Sequence, residues 1–475
     1  MDTEVLVVGA GPTGLTMANE LRVAGVPVVL VDRLPHRVTL SKAGGVQSRT
    51  QEAFDQRGLL EPLLDTGNHP ISTVHFAGFT LPLTRDRHQR PWRSIPQVVI
   101  EGFLEGNLAA QDIHVRRDHE VTGIDQDADG VTATFANGET IRSRFLVAAD
   151  GGHSTVRSLL GAEFPGRPGT VTTVAADVRL DGDPATHTRS EDGHWAAVFP
   201  LGTDPAGRPL RRLSLGGPGR SVPRDVPVTE DEIRTGLSAV FGSRVRLLEL
   251  RYARRITNAA RQAARYRHGR VFLAGDAAHV HLPFGAQGMN TGIQDAVNLG
   301  WKLGAAVHGW APDHLLDSYH AERHPVAAAV LRNVQAQSLL MDQEGTCDPD
   351  LLAARELFAD LTRLRDVQYH LDDMLSGMGI RYPMPGSDDL VGLPAPDRDL
   401  GPMRSHELLR RGHGVLLDPA DRFAKLADLW QDRVVRAGQG AGGEPMLIRP
   451  DGYVCWAGDP DELEPALGHW FGEAC

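Results

Sequence analysis

Three stretches hold residues whose types and spacing suit chemistry on a phosphate-bearing cofactor. The first is Gly9-Ala10-Gly11-Pro12-Thr13-Gly14. Glycines so spaced let a backbone approach a pyrophosphate, and the N-terminus of a following helix stabilises its charge. Asp32 follows where a ribose hydroxyl pair needs an acceptor. An acid there disfavours a 2′-phosphate, so FAD or NAD suits this site better than NADP. The second stretch is Asp150-Gly151-Gly152-His153-Ser154-Thr155-Val156-Arg157. Taken alone, it reads equally well as a turn in which Asp150 caps a helix. The third runs Gly275-Asp276-Ala277-Ala278-His279, then Pro283-Phe284-Gly285-Ala286-Gln287-Gly288-Met289-Asn290. Asp276 is placed to bind a sugar-like hydroxyl. The amides of Gly288, Met289 and Asn290 would open a helix and face developing negative charge.

The elements needed to position these stretches are legible around them. Glu4–Val8 is a β-branched run ending at Gly9, the pattern of a buried parallel strand. Leu15, Ala18 and Leu21 keep helical spacing up to Gly25, and Val28–Val31 is a second buried strand ending at Asp32. Strand, glycine turn, helix, strand and acid make a βαβ unit. Val131, Ala133 and Phe135 alternate, Asn137-Gly138 is a hairpin turn, and Arg144–Asp150 returns to a buried strand. A short helix is expected over 151–161. From about 165 to 228 Gly, Pro and Arg are frequent, with short strands at Ala196–Phe199 and Leu213–Leu215. That predicts a second, sheet-rich domain. Thr229–Gly242 predicts a helix with a capping box from Thr229 and Glu232. Val271–Gly275 is another buried strand, and helices are expected over 288–307 and 317–345. After roughly residue 385 the chain reads as a linker. Gly414–Leu417, Met446–Arg449 and Tyr453–Ala457 then suggest a small terminal α/β domain.

The 475 residues carry 49 Lys+Arg against 61 Asp+Glu, a formal net charge of −12. That balance argues against nucleic acid as the main partner and against binding an anionic membrane by bulk charge. No run approaches the roughly 18 apolar residues of a spanning helix, and the N-terminus lacks a basic signal region. Cys347, Cys455 and Cys475 are far apart with no C-x-x-C, which excludes a disulfide framework and a cysteine zinc site. A cytoplasmic enzyme is the expectation. His279 with His281, and His320 with His324, are spaced like metal pairs, but neither has an evident third ligand, so no metal is predicted. No G-x-S-x-G occurs, which argues against an α/β-hydrolase triad.

In this order and spacing, the three motifs resemble the class A FAD-dependent monooxygenases, which share the para-hydroxybenzoate hydroxylase fold. The stretch Gly288–Leu316, followed by Asp317-Ser318-Tyr319-His320-Ala321-Glu322-Arg323, resembles the branch that tailors aromatic polyketides and related antibiotics. That branch includes angucycline, anthracycline, tetracycline and rifamycin hydroxylases. The resemblance spans essentially the whole chain. It implies an α/β (α+β) multidomain fold: a Rossmann-like FAD-binding domain over 1–165 and 265–385, an inserted sheet-rich substrate domain over 166–264, and a C-terminal thioredoxin-like domain over 395–475 lacking redox cysteines. Part of 70–100 is assignable to either of the first two.

The resemblance also implies residue roles. Gly9, Gly11 and Gly14, with Pro12 and Thr13, surround the FAD pyrophosphate. Asp32, beside Arg33, takes the AMP ribose. Lys42 matches a basic residue near the cofactor, and Gln97 a FAD-contacting glutamine. Asp150 and Arg157 belong to a motif linked to FAD and NADPH, Asp276 matches the acid on the ribityl chain, and Gly288, Met289 and Asn290 face the flavin pyrimidine. NADPH or NADH would reduce FAD transiently, without a Rossmann domain of its own. Reduced flavin and O2 would give a C4a-hydroperoxide that attacks an electron-rich ring of a polycyclic aromatic molecule, the protein being a monomer or homodimer. Baeyer–Villiger oxidation or ring rearrangement on the same scaffold is the near alternative. An NAD-dependent dehydrogenase and a non-catalytic flavin- or drug-binding protein are the others. Phe284 stands where relatives carry a small residue, and Ala286 where they carry glycine. The implied effect of Phe284 is a narrowed substrate chamber, against plain packing away from the site. Phe76, Phe79, Trp92, His194, Trp195 and Phe199 are candidates for an apolar substrate wall, though periodicity cannot separate that from plain core, the reading favoured for each.

Overall fold

The computed structural model describes residues 1–39, 41–83, 90–203, 206–218, 221–341, 348–438 and 442–474. Cys347 and Cys475 lie outside the described residues. The chain opens with β1 (Thr3–Val8), α1 (Pro12–Val23) and β2 (Val28–Val31), the predicted βαβ unit, with Val5 opposite Val28 and Val8 opposite Val31 in parallel. Val5, Leu6, Val7, Leu30 and Val31 are fully buried, as a strand covered on both faces requires. Five elements that periodicity did not disclose come next: α2 (Ser48–Asp55), the hairpin β3 (Thr73–Phe76) and β4 (Phe79–Pro82), α3 (Gln97–Ala109) and β5 (Val115–Arg116). β6 (Val121–Gln126), β7 (Val131–Phe135) and β8 (Thr140–Ala148) form the expected meander. The far half of β8 runs parallel to β1, with Phe145 opposite Val5. A short helix, α4 (Thr155–Leu159), follows. Its cap is Ser154, whose Oγ accepts the Arg157 N–H at 2.9 Å, and not Asp150, which accepts from Val156 N–H at 3.1 Å.

The inserted unit is an antiparallel sheet of β9 (Thr172–Asp181), β10 (His187–Arg189), β11 (Trp195–Thr203), β12 (Pro209–Gly216) and β13 (Arg246–Thr257), with α5 (Glu230–Phe241) across it. The strand order is β10-β11-β12-β9-β13. β11 and β12 are longer than the sequence suggested, because their additional residues are largely polar or exposed. Val174, Ala176, Val178, Ala196, Val198, Leu213 and Leu215 pack with Ile233, Leu237 and Phe241 of α5. Strand alternation therefore puts Trp195, Ala197, Phe199, Arg212 and Ser214 on the other face. Thr229 caps α5 through Glu232 N–H, but Glu232 pairs with Arg255 at 2.6 Å, so only half of the expected capping box forms.

The chain returns as β14 (Val271–Leu273), parallel to β8, giving a buried parallel order β14-β8-β1-β2-β5. α6 (Gln287–His308) then crosses under α1. Its small residues at 292, 296, 300 and 304 form one ridge. A Cβ on Gly300 would stand 2.4 Å from Glu20 Cβ, so only glycine permits this approach. α7 (Leu315–Leu340) ends earlier than the expected 345; residues 342–347 lie outside the described residues. α8 (Pro349–Leu361) and α9 (Arg365–Ser376) follow, both unread from sequence.

The terminal unit has β15 (Gly414–Leu417), β16 (Val434–Ala437), β17 (Met446–Ile448), β18 (Val454–Ala457) and α10 (Leu463–Phe471), in the mixed order β16-β15-β17-β18. It docks on the first unit through buried charges. Arg449 holds Glu322 at 2.7 Å, Arg49 donates to Asp451 O at 2.6 Å, and Arg57 joins Glu20 at 2.8 Å and Pro450 O at 2.8 Å. Cys455 is buried, which pushes its thiol pKa well up and leaves it a packing residue. Among the described residues no helix is long and apolar enough to cross a membrane.

Candidate active site

The three motifs meet at the carboxyl ends of β1, β8 and β14, where an open parallel sheet holds its ligands. Gly9 has φ +103°, and a Cβ there would stand 2.3 Å from Ala149 O. A Cβ on Gly14 would stand 1.8 Å from Gly9 O, so the chain itself demands glycine at both. Gly11, the cap of α1, differs: a Cβ there would meet no atom of the described residues within 4 Å, and no side chain caps the helix. Clear space over an uncapped helix start is a cradle for a phosphate. Asp32 closes the loop, accepting Ala10 N–H at 2.7 Å and Leu34 N–H at 2.8 Å; Arg33 beside it is exposed.

Thr13 brings the third motif in. Its Oγ1 would be 2.5 Å from a Cβ on Gly275 and 2.4 Å from one on Gly292, so the starts of α1 and α6 pack against the 275 turn. Asp276, in that turn, is exposed and makes no hydrogen bond or ion pair among the described residues. Beneath it lies a charge cluster. Asp295 accepts Gly275 N–H at 3.0 Å, pairs with His279 Nε2 at 2.8 Å and holds Arg323 Nε at 2.7 Å. Burial alone would raise the Asp295 pKa, but Arg323 and His279 outweigh it and hold the carboxyl below its usual range. Arg323 also donates to Tyr382 Oη at 3.0 Å and to Thr291 O at 3.1 Å. His279, spaced like a metal ligand, is thus a partner of Asp295.

The second motif acts as a clamp. Arg157 donates to Ala277 O and to Gly152 O, both at 2.9 Å, with its guanidinium 3.8 Å over the Phe164 ring. It ties the 150 turn to the 275 turn. Burial raises the Asp150 pKa.

α6 starts from Ala286, a non-glycine in the left-handed region (φ +52°), with no side-chain cap. Asn290 uses its side chain on the chain: Oδ1 accepts Gln47 N–H at 3.1 Å, and Nδ2 donates to Gly45 O at 2.9 Å and Ala286 O at 2.7 Å. Gln97 N–H donates to Ala43 O at 2.9 Å, and its side chain donates to Glu101 at 2.7 Å. The exposed Lys42, the start of α3 and the start of α6, with Gly288 and Met289 half-buried in its first turn, are therefore neighbours. His281 Nδ1 donates to Leu282 O at 2.7 Å. Burial lowers its pKa, so the ring is neutral and its Nε2, unpartnered among the described residues, is an acceptor.

The wall candidates divide. Phe199 lies on the sheet face away from α5, in a ring cluster with His75 (5.6 Å) and His187 (5.4 Å). Burial, reinforced by His75 and Arg355, lowers the His187 pKa to about 4. Trp195 shares that face but is nearly fully buried, and a Cβ on Gly216 would stand 2.3 Å from its ring. His194 sits beside the β10–β11 turn, 3.1 Å from Asp192. Phe76, Phe79 and Trp92 pack in an apolar cluster with Phe358, Leu371 and Leu375 of α8 and α9. Pro283 is exposed and Phe284 half-buried, in a loop that touches β3. Sequence reasoning gave no role to Asp295, Arg323 or Glu322. Glu322 and Arg323 stand in a charged run, Asp317 to His324, that reads as a solvated helix face, so no sequence signal marked them as buried.

Two family models match the chain: "FAD binding domain" over residues 2–334 and "Aromatic-ring hydroxylase, C-terminal" over 388–474. A rifampicin monooxygenase of Streptomyces venezuelae is 40% identical over 477 residues, covering 99% of each chain. A 12-dehydrotetracycline 5-monooxygenase/anhydrotetracycline 6-monooxygenase of Streptomyces rimosus is also 40% identical, over 515 residues, with 99% of each covered. Among solved structures, the anhydrotetracycline hydroxylase OxyS from Streptomyces rimosus superposes with a TM-score of 0.90 at 38% identity, with all of both chains covered.

Proposed function

The chain belongs to the FAD-dependent aromatic-ring hydroxylases and is a flavin-dependent monooxygenase, and we propose that it inserts one atom of O2 into a ring of a polycyclic aromatic antibiotic or polyketide, with NAD(P)H as the electron source. The observation that carries this reading is the meeting of the Gly9–Gly14 loop, the unpartnered Asp276 and the uncapped start of α6 at the carboxyl end of the parallel sheet. Full-length relatives named for rifampicin and for 12-dehydrotetracycline and anhydrotetracycline support the substrate class.

The residues fit FAD. The clear space over Gly11 suits its pyrophosphate, Asp32 its adenosine ribose, Asp276 a ribityl hydroxyl, and the amides of Gly288, Met289 and Asn290 the electron-rich end of its ring. Bound FAD, once reduced, supplies O2 activation and oxygen transfer. The chain's own work is positioning. The start of α6 stabilises negative charge without side-chain reorganisation. Arg157 and Asp295 hold the 275 turn so that Asp276 keeps its aim. His281 Nε2 offers a fixed acceptor beside Gly288. Phe199 and the His75–His187 pair give the substrate an aromatic wall, and Phe284 limits its approach. The test is turnover under isotopically labelled O2: one labelled atom in the product supports the reading, and none overturns it. NMR of the product then separates ring hydroxylation from ring-oxygen insertion, and we propose hydroxylation.

A further inference from the structure

The turn between β17 and β18 of the terminal unit, Arg449–Tyr453, reaches into the first unit. Arg449 N–H donates to Tyr453 O at 2.8 Å and closes the turn. Gly452 has φ +77°, and a Cβ there would stand 2.4 Å from the Gln56 side chain, so the turn lies pressed against the end of α2. The Arg449 side chain has no exposed surface. It sits between the rings of Trp301 (5.3 Å) and Trp470 (4.4 Å) and forks onto Glu322 of α7 with hydrogen bonds of 2.7 and 2.8 Å. Burial would raise the Glu322 pKa, but Arg449 and Lys302 outweigh it and hold the carboxyl well below its usual range. Glu322 also accepts from Asn298 at 2.6 Å and Lys302 at 2.9 Å, both on α6. One carboxylate thus fastens α6, α7 and the terminal turn together.

The next residue on α7 serves the flavin side. Arg323 meets Asp295 and Thr291 O of α6, and Asp295 holds Gly275 N–H beside Asp276. Two successive residues therefore pin α7 to α6: Glu322 shares its charge with the terminal unit, and Arg323 supports the cofactor turn. The Arg449–Tyr453 turn makes this connection twice more. Tyr453 stacks on Tyr382 at 4.0 Å, and Tyr382 Oη accepts from Arg323 at 3.0 Å. Asp451 O accepts from Arg49 at 2.6 Å, two residues after Gln47, whose N–H is held by Asn290 at the start of α6. Enclosed ion pairs tolerate little displacement, because a lost partner leaves a bare buried charge. We propose that Arg449 is a positioning residue of the flavin site: by fixing Glu322 it fixes the pose of α7 in which Arg323 and Asp295 hold the Gly275 turn, so that the terminal unit sets how firmly FAD is retained. This rests on the placement of FAD given above.

The experiment dilutes full-length holoprotein and follows FAD release by its fluorescence, with visible circular dichroism of the flavin and thermal unfolding recorded alongside. Arg449→Met removes the fork and should speed FAD release by about tenfold or more, with a changed flavin spectrum. Arg449→Lys keeps the charge without the planar fork and should fall between Arg449→Met and wild type; it carries the test where Met prevents folding. Leu417→Ala truncates a buried residue of the terminal sheet and keeps every charge of the seam. It should lower the melting temperature and leave FAD release and the flavin spectrum at wild-type values. Joining Arg449→Met to Asp295→Asn should speed release by less than the product of the two single effects, because both act through Arg323. Wild-type release from both Arg449 variants would overturn the proposal. So would release from Leu417→Ala as fast as from Arg449→Met, or effects that simply multiply in the double variant. A wild-type protein that takes up no FAD would instead overturn the flavin placement itself.

Discussion

Replacing Asp295 by Asn keeps the shape of the side chain and removes its charge. Arg323, with no exposed side-chain surface, would then face an amide instead of the carboxylate 2.7 Å away. Breaking a buried pair by neutralising one partner costs about 3–5 kcal/mol, chiefly because the other charge stays buried. The damage is local to the cofactor, because Asp295 also holds Gly275 N–H, next to Asp276. Urea denaturation of the FAD-loaded variant, followed by protein and by released-FAD fluorescence, should therefore show a destabilised first unit and weaker FAD retention. The Asp295→Leu, Arg323→Met double variant should be destabilised by less than the sum of the two single variants, because the charges vanish together. The acid limb gives an independent sign. The native Asp295 pKa is depressed, so its contribution is present above the unfolded value of about 3.9 and disappears as pH falls below it. Wild-type and Asp295→Asn stabilities should converge in that acid window. An Asp295→Asn protein within about 1 kcal/mol of wild type at neutral pH, with FAD retained, would refute the reasoning.

Ala286→Gly should stabilise the protein by about 1 kcal/mol, because it removes left-handed strain at the cap of α6; thermal unfolding of the holoprotein checks this. His187, held at about pH 4, is neutral in the folded state where an unfolded histidine is charged. Stability should fall by up to about 1.4 kcal/mol per pH unit as pH drops from about 6.5 towards 4, and a His187→Gln variant should lack that component in acid denaturation curves. Phe284→Ala should change the product pattern or the ratio of product formed to NADPH consumed, because it widens the approach to the flavin. Chromatography of the products alongside NADPH loss would show an unchanged pattern and ratio if Phe284 only packs.

The parts of the fold written in periodicity were legible in the sequence. β1, α1, β2 and α6 could be placed within a residue or two, because continuous apolar runs and 3.6-residue spacing are local signals. The segment 33–118 was not, because α2 and α3 bury polar residues such as Arg49, Gln51 and Glu101, which hide the pattern. The glycine loop and Asp276 were visible because each closely follows a continuous apolar run, Val5–Val8 and Val271–Ala274, that marks a buried strand. The clamp roles of Arg157 and Asn290 were not visible. Their partners, Ala277 O, Gly45 O and Gln47 N–H, are backbone groups distant in sequence, and no residue pattern announces a backbone contact. Phe76, Phe79 and Trp92 show the same limit: an aromatic side chain reads alike in a core and in a substrate wall until α8 and α9 are seen to cover it.

The central claim is that the FAD-loaded protein couples NAD(P)H oxidation to oxygenation of a polycyclic aromatic molecule. Its most direct test is aerobic NADPH consumption by purified holoprotein, with and without a panel of tetracyclic phenols, with product masses read alongside. The account predicts that one compound accelerates NADPH loss and gains a single oxygen atom. Protein that holds no flavin after reconstitution, or flavin-loaded protein whose NADPH consumption no compound stimulates, would contradict it.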